Sequence, residues 1–200
     1  MYIPKIYEMN NPKMAIDFMK KYNFATVISN DVNGPSATHL PFLIDEVDGE
    51  IILTSHMAKV NPHGDLLKSG RSLVVFSEPH AYISPSLYTK VQNVPTWNYM
   101  AVHAYGSIEI IEEPEKLIAL MEKSIEAFEP DYFKQWGQLS EKYIYGLLKG
   151  VTGFTMKVDE LQTKAKLSQN KSEEEQSRIR ELLLQSDNTV IRDIGEFMET

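Results

Sequence analysis

The densest group of residues with chemical potential is Thr54-Ser55-His56-Met57-Ala58-Lys59-Val60-Asn61, where hydroxyls, an ammonium and an amide gather behind an apolar run. Phosphate asks for this donor set. Two or three charge-assisted hydrogen bonds of about 1.5–3 kcal/mol each are a large share of the roughly 8 kcal/mol behind micromolar affinity. The same string also reads as a strand end with a helix N-cap and a solvated lysine, and the residues alone leave both readings open. A second group, residues 37–42 with Thr38, His39, Leu40 and Pro41, places a proline inside a strand-like run and breaks its in–out alternation. Proline cannot donate to a ladder. A bulge or edge is therefore expected, and its free backbone groups either read the rim of a flat ring or merely belong to a protected edge strand. The third group, Trp97 and Asn98 within residues 94–106, joins aromatic faces to an amide. It suits a stacked planar ligand, an aromatic core or an oligomer interface.

Other chemistries find little support. There is no cysteine, so thiolate nucleophiles, disulfides and zinc–thiolate sites are excluded. The histidines, His39, His56, His63, His80 and His103, show no paired helical spacing, and no metal site is expected. Glycine-rich dinucleotide, P-loop and nucleophile-elbow strings are missing, and no catalytic residue is pinned by spacing. The net charge of −8 repels nucleic acid and anionic lipid. DNA binding would need a local basic patch, for which Lys164, Lys166 and Lys171 are the best cluster, while the two C-terminal helical segments lack a basic face. No apolar run approaches the roughly 20 residues of a membrane helix, and the first residues lack a signal-peptide core. A cytoplasmic address and no membrane partner are expected.

The elements that must position these groups follow from periodicity. Asn11-Pro12 opens a helix over residues 12–22 with Met14, Phe18, Met19 and Tyr22 on one face. Three antiparallel strands then run over residues 24–29, 36–47 and 50–55, joined by turns at Asn33-Gly34 and Asp48-Gly49. A short helix near residues 61–68 ends at Gly70, followed by a buried strand at 73–76. A long strand over 97–112 leads to Pro114, which opens a helix through Phe128 that continues toward Leu148 with a break at Gly137. Residues 151–158 form a last core strand, with 163–168 as a partner or edge. Ser172 and Glu175 make a capping box for a helix to about residue 185, and a second helix spans 188–198. About seven strands interleaved with helices predict a mainly β, α+β fold: one antiparallel barrel with peripheral helices. The expected organisation is a domain over residues 1–170 with a helical tail over 171–200 packed on it.

Six strings in order resemble the PaiB family of FMN-binding negative transcriptional regulators, whose fold is that of the pyridoxamine-phosphate-oxidase-like split barrels. They are Met1-Tyr2-Ile3-Pro4, residues 37–42, residues 55–62, Pro79-His80-Ala81-Tyr82-Ile83-Ser84-Pro85-Ser86, residues 94–106, and Lys166-Leu167-Ser168-Gln169-Asn170-Lys171. The resemblance implies a homodimer with FMN in a groove between subunits and repression of degradative-enzyme and sporulation genes. By the same resemblance Thr54, Ser55, Lys59 and Asn61 hold the phosphate, and Thr38, His39, Leu40 and Pro41 approach the isoalloxazine. Trp97 and Asn98 join from the long strand, while Lys166, Ser168 and Gln169 close the site. An alternative on the same cofactor is a flavin reductase or oxidase acting on a small cytoplasmic substrate. Three positions depart from the family pattern: Leu87 where a tryptophan is usual, Gly64 where an aromatic is usual, and Lys59 where arginine is common. Lysine keeps the charge and loses the bidentate fork.

Overall fold

The computed structural model describes residues 1–9 and 11–198. Glu199 and Thr200, the last of the expected tail, lie outside the described residues. The chain forms two compact units: Met1–Phe18, Phe76–His103 and Gln162–Thr200 make one, and Met19–Val75 with Ala104–Leu161 make the other.

The strands are β1 (Phe24–Asp31), β2 (Gly34–Pro41), β3 (Leu43–Val47), β4 (Glu50–Ala58), β5 (Arg71–Phe76), β6 (His80–Ile83), β7 (Thr96–Ile111) and β8 (Val151–Lys166). They form one sheet in the order β2-β1-β5-β7-β8-β4-β3, with β6 paired to β7 off this path. The helices are α1 (Pro12–Lys21), α2 (His63–Leu66), α3 (Pro114–Phe128), α4 (Phe133–Trp136), α5 (Glu141–Leu148), α6 (Glu173–Leu184) and α7 (Thr189–Phe197). The expected α+β class with an antiparallel split barrel is borne out, and the path is open rather than closed.

Within the second unit, β2 and β3 are consecutive in sequence yet stand at opposite ends of the path. The single return strand expected over 36–47 is therefore two strands. Pro41 has no amide for the ladder, and Phe42, wholly buried, turns its own amide to the Asn23 carbonyl at 2.8 Å. The in–out alternation, expected to fail inside 37–42, holds through Leu40 and stops at this corner. Ser55 on β4 donates to the Pro41 carbonyl at 2.6 Å and draws the two ends of the path together. Two hairpins pin the register. At the second, Asp48 and Gly49 both have positive φ, 53° and 80°, as a two-residue primed turn demands. At the first, Asp31 pairs Gly34, so the turn centres on Val32 and Asn33, one residue earlier than expected. Gly34 alone there takes positive φ, 118°.

Strand β8 is one continuous strand where two pieces were expected. Its charged middle, Asp159 and Glu160, is paired to Arg71 at the start of β5, with Arg71 Nη2 2.7 Å from Glu160 Oε2. Gly106 on β7 permits close approach of this strand, because a Cβ there would sit 2.1 Å from the Lys157 carbonyl oxygen. The core holds Phe42 against Phe154 edge-on, with Leu53 and Met156 also fully buried. Over residues 128–148 the expected helix is interrupted at Pro130 as well as Gly137, leaving the short α4 before α5. Ser140 caps α5 by accepting from the Tyr143 amide.

In the first unit, β6 was not expected, because prolines at 79 and 85 leave only four residues for it. The helices there follow their sequence signals. Ser172 and Glu175 form the reciprocal capping box of α6, and Asn188 caps α7 through the Val190 amide at 3.0 Å. The pair packs through Ile179, Leu183 and Ile194, all buried, and Gly195 fits beneath Leu184.

Candidate functional site

Two of the predicted segments meet in the second unit. Thr38 points to the half-buried side of β2, and its Oγ1 shares a 2.8 Å hydrogen bond with His63 Nδ1. Asn61 Nδ2 donates to the same oxygen at 3.3 Å, and the His63 amide donates to Asn61 Oδ1 at 3.0 Å. A closed circuit thus joins β2 to the turn that opens α2. Sequence reasoning named Thr38 and Asn61 and passed over His63, whose only signal was its place two residues beyond Asn61. His63 is 3% exposed, and its Nε2 has no partner among the described residues. Burial lowers its pKa, so the ring is held neutral.

The other residues of these segments divide by burial. Thr54 and Ser55 lie inside, and Ser55 has spent its hydroxyl proton on Pro41. Leu40 is buried, Pro41 ends β2, and His39 faces solvent opposite to Thr38. Lys59 sits just past β4, exposed, with its amide on the Gly150 carbonyl at 2.8 Å. Among the described residues its ammonium has no partner. Lys59 and Asn61 also border a cavity of about 540 Å³, together with Lys68 and Lys149, which sequence reasoning missed.

The predicted residues of the first unit form a different arrangement. Asn98 is fully buried and exchanges two hydrogen bonds with Ser168, at 2.9 and 3.1 Å. Ser168 holds a φ of 66°, unusual for a residue with a Cβ. Gln169 spends its amide on backbone, accepting from Leu167 N at 2.7 Å and donating to Ala165 O at 2.6 Å. Lys166 donates to Thr96 Oγ1. Trp97 is 52% exposed and meets His80 and Tyr82 edge-on, so β6 and β7 present an aromatic face.

The cationic cluster expected at Lys164, Lys166 and Lys171 is internally committed. Lys164 donates to the Tyr2 carbonyl at 3.1 Å, and Lys171 donates to Asn93 Oδ1 at 3.1 Å while lying 3.6 Å above the Tyr88 ring. Among the described residues no group of three or more histidine, aspartate or glutamate side chains is placed to hold a metal ion. Among the described residues no helix is long and apolar enough to cross a membrane.

The family described as "Putative FMN-binding domain" matches residues 1–160. The chain is 37% identical over 202 residues to "Protease synthase and sporulation protein PAI 2" of Bacillus subtilis, covering 100% of this chain and 97% of that protein. Among solved structures it is similar to the flavocytochrome Anf3 from Azotobacter vinelandii, with a TM-score of 0.63 at 14% identity over 82% of this chain and 72% of that one. It is also similar to the FAD and heme binding protein from Mycobacterium smegmatis, with a TM-score of 0.61 at 14% identity over 80% and 73% of the two chains. At that identity the likeness is one of fold.

Proposed function

The chain belongs to the FMN-binding domain family that matches residues 1–160, and on that premise we propose that it is an FMN-binding negative transcriptional regulator of protease and sporulation genes. The end-to-end likeness to the Bacillus subtilis protease and sporulation protein carries this reading. The donor set supports the cofactor. An unpaired ammonium at Lys59, the Asn61 amide and the Thr38 hydroxyl belong to adjoining segments, the chemistry by which a phosphate is gripped. Lys59 and Asn61 would hold the phosphate, with Thr54 and Ser55 backing them from inside. Residues 38–41, with the carbonyl of Pro41 already engaged by Ser55, would orient the ring. By the family resemblance Trp97, Asn98, Lys166, Ser168 and Gln169 would also be cofactor-binding residues. Bound FMN supplies a redox-active ring, and the chain supplies binding and orientation.

The same reading includes a cytoplasmic homodimer with each cofactor in a groove between subunits, and a domain over residues 1–170 with residues 171–200 as its helical tail. The charge of −8, with acidic residues outnumbering basic ones in the C-terminal helices, argues against the chain itself being the DNA reader. The test is the visible spectrum and small-molecule mass of the purified protein, before and after adding FMN, alongside its sedimentation. A flavin spectrum on a dimer is expected. Protein that neither carries nor takes up flavin overturns the reading. For the regulatory half, deleting the gene should raise secreted protease activity, and an unchanged level counts against it.

A further inference from the structure

Asn61, Gly64, Asp65 and Lys68 recur at helical spacing and share one side of the α2 turn, while His63 lies on the other side, toward Thr38. The first side borders the cavity of about 540 Å³, a volume in the range of small-molecule pockets, about 300–1,000 Å³. Its wall is apolar: Ile110, Leu117, Leu148 and Val151 are buried or half-buried there. Its rim carries Lys59, Lys68 and Lys149, all exposed, and among the described residues none of these ammonium groups has a hydrogen-bond or ion-pair partner.

Asp65 and Glu112 also line the cavity, so three cations against two carboxylates leave one net positive charge in a chain whose total is −8. The local sign is thus the reverse of the global one. A single positive charge above an apolar wall matches one negative charge on an apolar body, whereas a highly charged anion would meet the two carboxylates. We propose that this cavity binds a small amphipathic monoanion, a carboxylate or sulfonate head on an apolar body, at a site that adjoins the one read for FMN and extends beyond it. Lys59 and Asn61 border both sites, as the reading for FMN has them; Lys68, Lys149 and Gly64 belong to the cavity alone.

Gly64 provides the test. Gly64 lines the cavity and a Cβ there would meet only Met57 Sδ, at 3.8 Å, so the first atom of a Gly64→Phe side chain has room and its ring is expected to occupy the cavity. The probe is 8-anilinonaphthalene-1-sulfonate, titrated into protein freed of flavin and followed by its fluorescence. One bright site per chain is expected, lost in Gly64→Phe while FMN uptake stays as in the unaltered protein. Reversing the two exposed lysines, in Lys68→Glu/Lys149→Glu, should weaken the sulfonate probe by about tenfold and leave neutral N-phenyl-1-naphthylamine within about twofold. Sulfonate binding that is absent, unchanged in Gly64→Phe, or insensitive to the reversed lysines overturns the proposal. Loss of FMN together with the probe in Gly64→Phe overturns it as well, by making the cavity part of the flavin site. Failure of the unaltered protein to take up FMN sinks the cofactor reading and leaves this result standing.

Discussion

Lys164, Lys166 and Lys171 are close neighbours in sequence, and each spends its ammonium inside its own unit, on the Tyr2 carbonyl, Thr96 Oγ1 and Asn93 Oδ1. Lys59, Lys68 and Lys149 are scattered along the chain, yet they share the rim of one cavity and have no partner among the described residues. The first set looks like a cationic cluster, yet each of its ammonium groups already has a partner. The second is invisible as a cluster and keeps its charge available. What distinguishes a ligand site from a structural knot is whether its polar groups are already paired, since a satisfied donor gains little from a ligand that must first break its bond.

The same contrast separates Asn98 and Ser168, paired to each other in the interior of one unit, from the Thr38–Asn61–His63 circuit of the other, where His63 Nε2 has no partner among the described residues. Asn98→Leu should be the sharpest blow to stability. It preserves volume but strands a buried hydroxyl, and a loss of roughly 2–3 kcal/mol in urea denaturation is expected. A change within about 0.5 kcal/mol would mean that this knot is not bracing. Lys59→Ala should show the opposite behaviour. Its FMN affinity should fall about ten- to a hundredfold with the denaturation midpoint unchanged, and equal flavin content in both proteins would remove Lys59 from the site.

Acid should sharpen the comparison further. Burial lowers the pKa of His63 in the folded chain, whereas in the unfolded chain it titrates near 6.5. Between those values the unfolded state binds more protons, so stability is full above pH 6.5 and declines as pH falls below it. His56 and His103 are lowered by burial too and act in the same direction. Thermal midpoints recorded from pH 7.5 to 5.5 should fall, and the fall should be shallower in His63→Asn, whose amide can replace Nδ1 against Thr38 but does not titrate. An identical slope in both proteins would show that His63 is not held neutral. The smallest effect is expected at Ser172→Ala, which removes the N-cap of α6 and should cost about 1 kcal/mol while leaving flavin and sulfonate binding untouched.

Much of this molecule was legible before any coordinates. The Asp48-Gly49 turn, the capping box at Ser172, Pro114 at the head of α3 and the aromatic and β-branched run read as a strand over residues 97–112 are decided by neighbours within a few residues, where backbone preference and local hydrogen bonds dominate. The Bacillus-like strings likewise lie in the chain itself and carry the family with them. Tertiary structure decided the rest, because those outcomes depend on partners far along the chain. Residues 36–47 split into two strands at Pro41 because Asn23 and Ser55 claim that corner. Asp159 and Glu160 stay inside one strand because Arg71, far away in sequence, pairs with both. And which of twenty basic residues remain unpaired is settled only when every other polar group has found its partner, a sum over the folded chain that no local window contains.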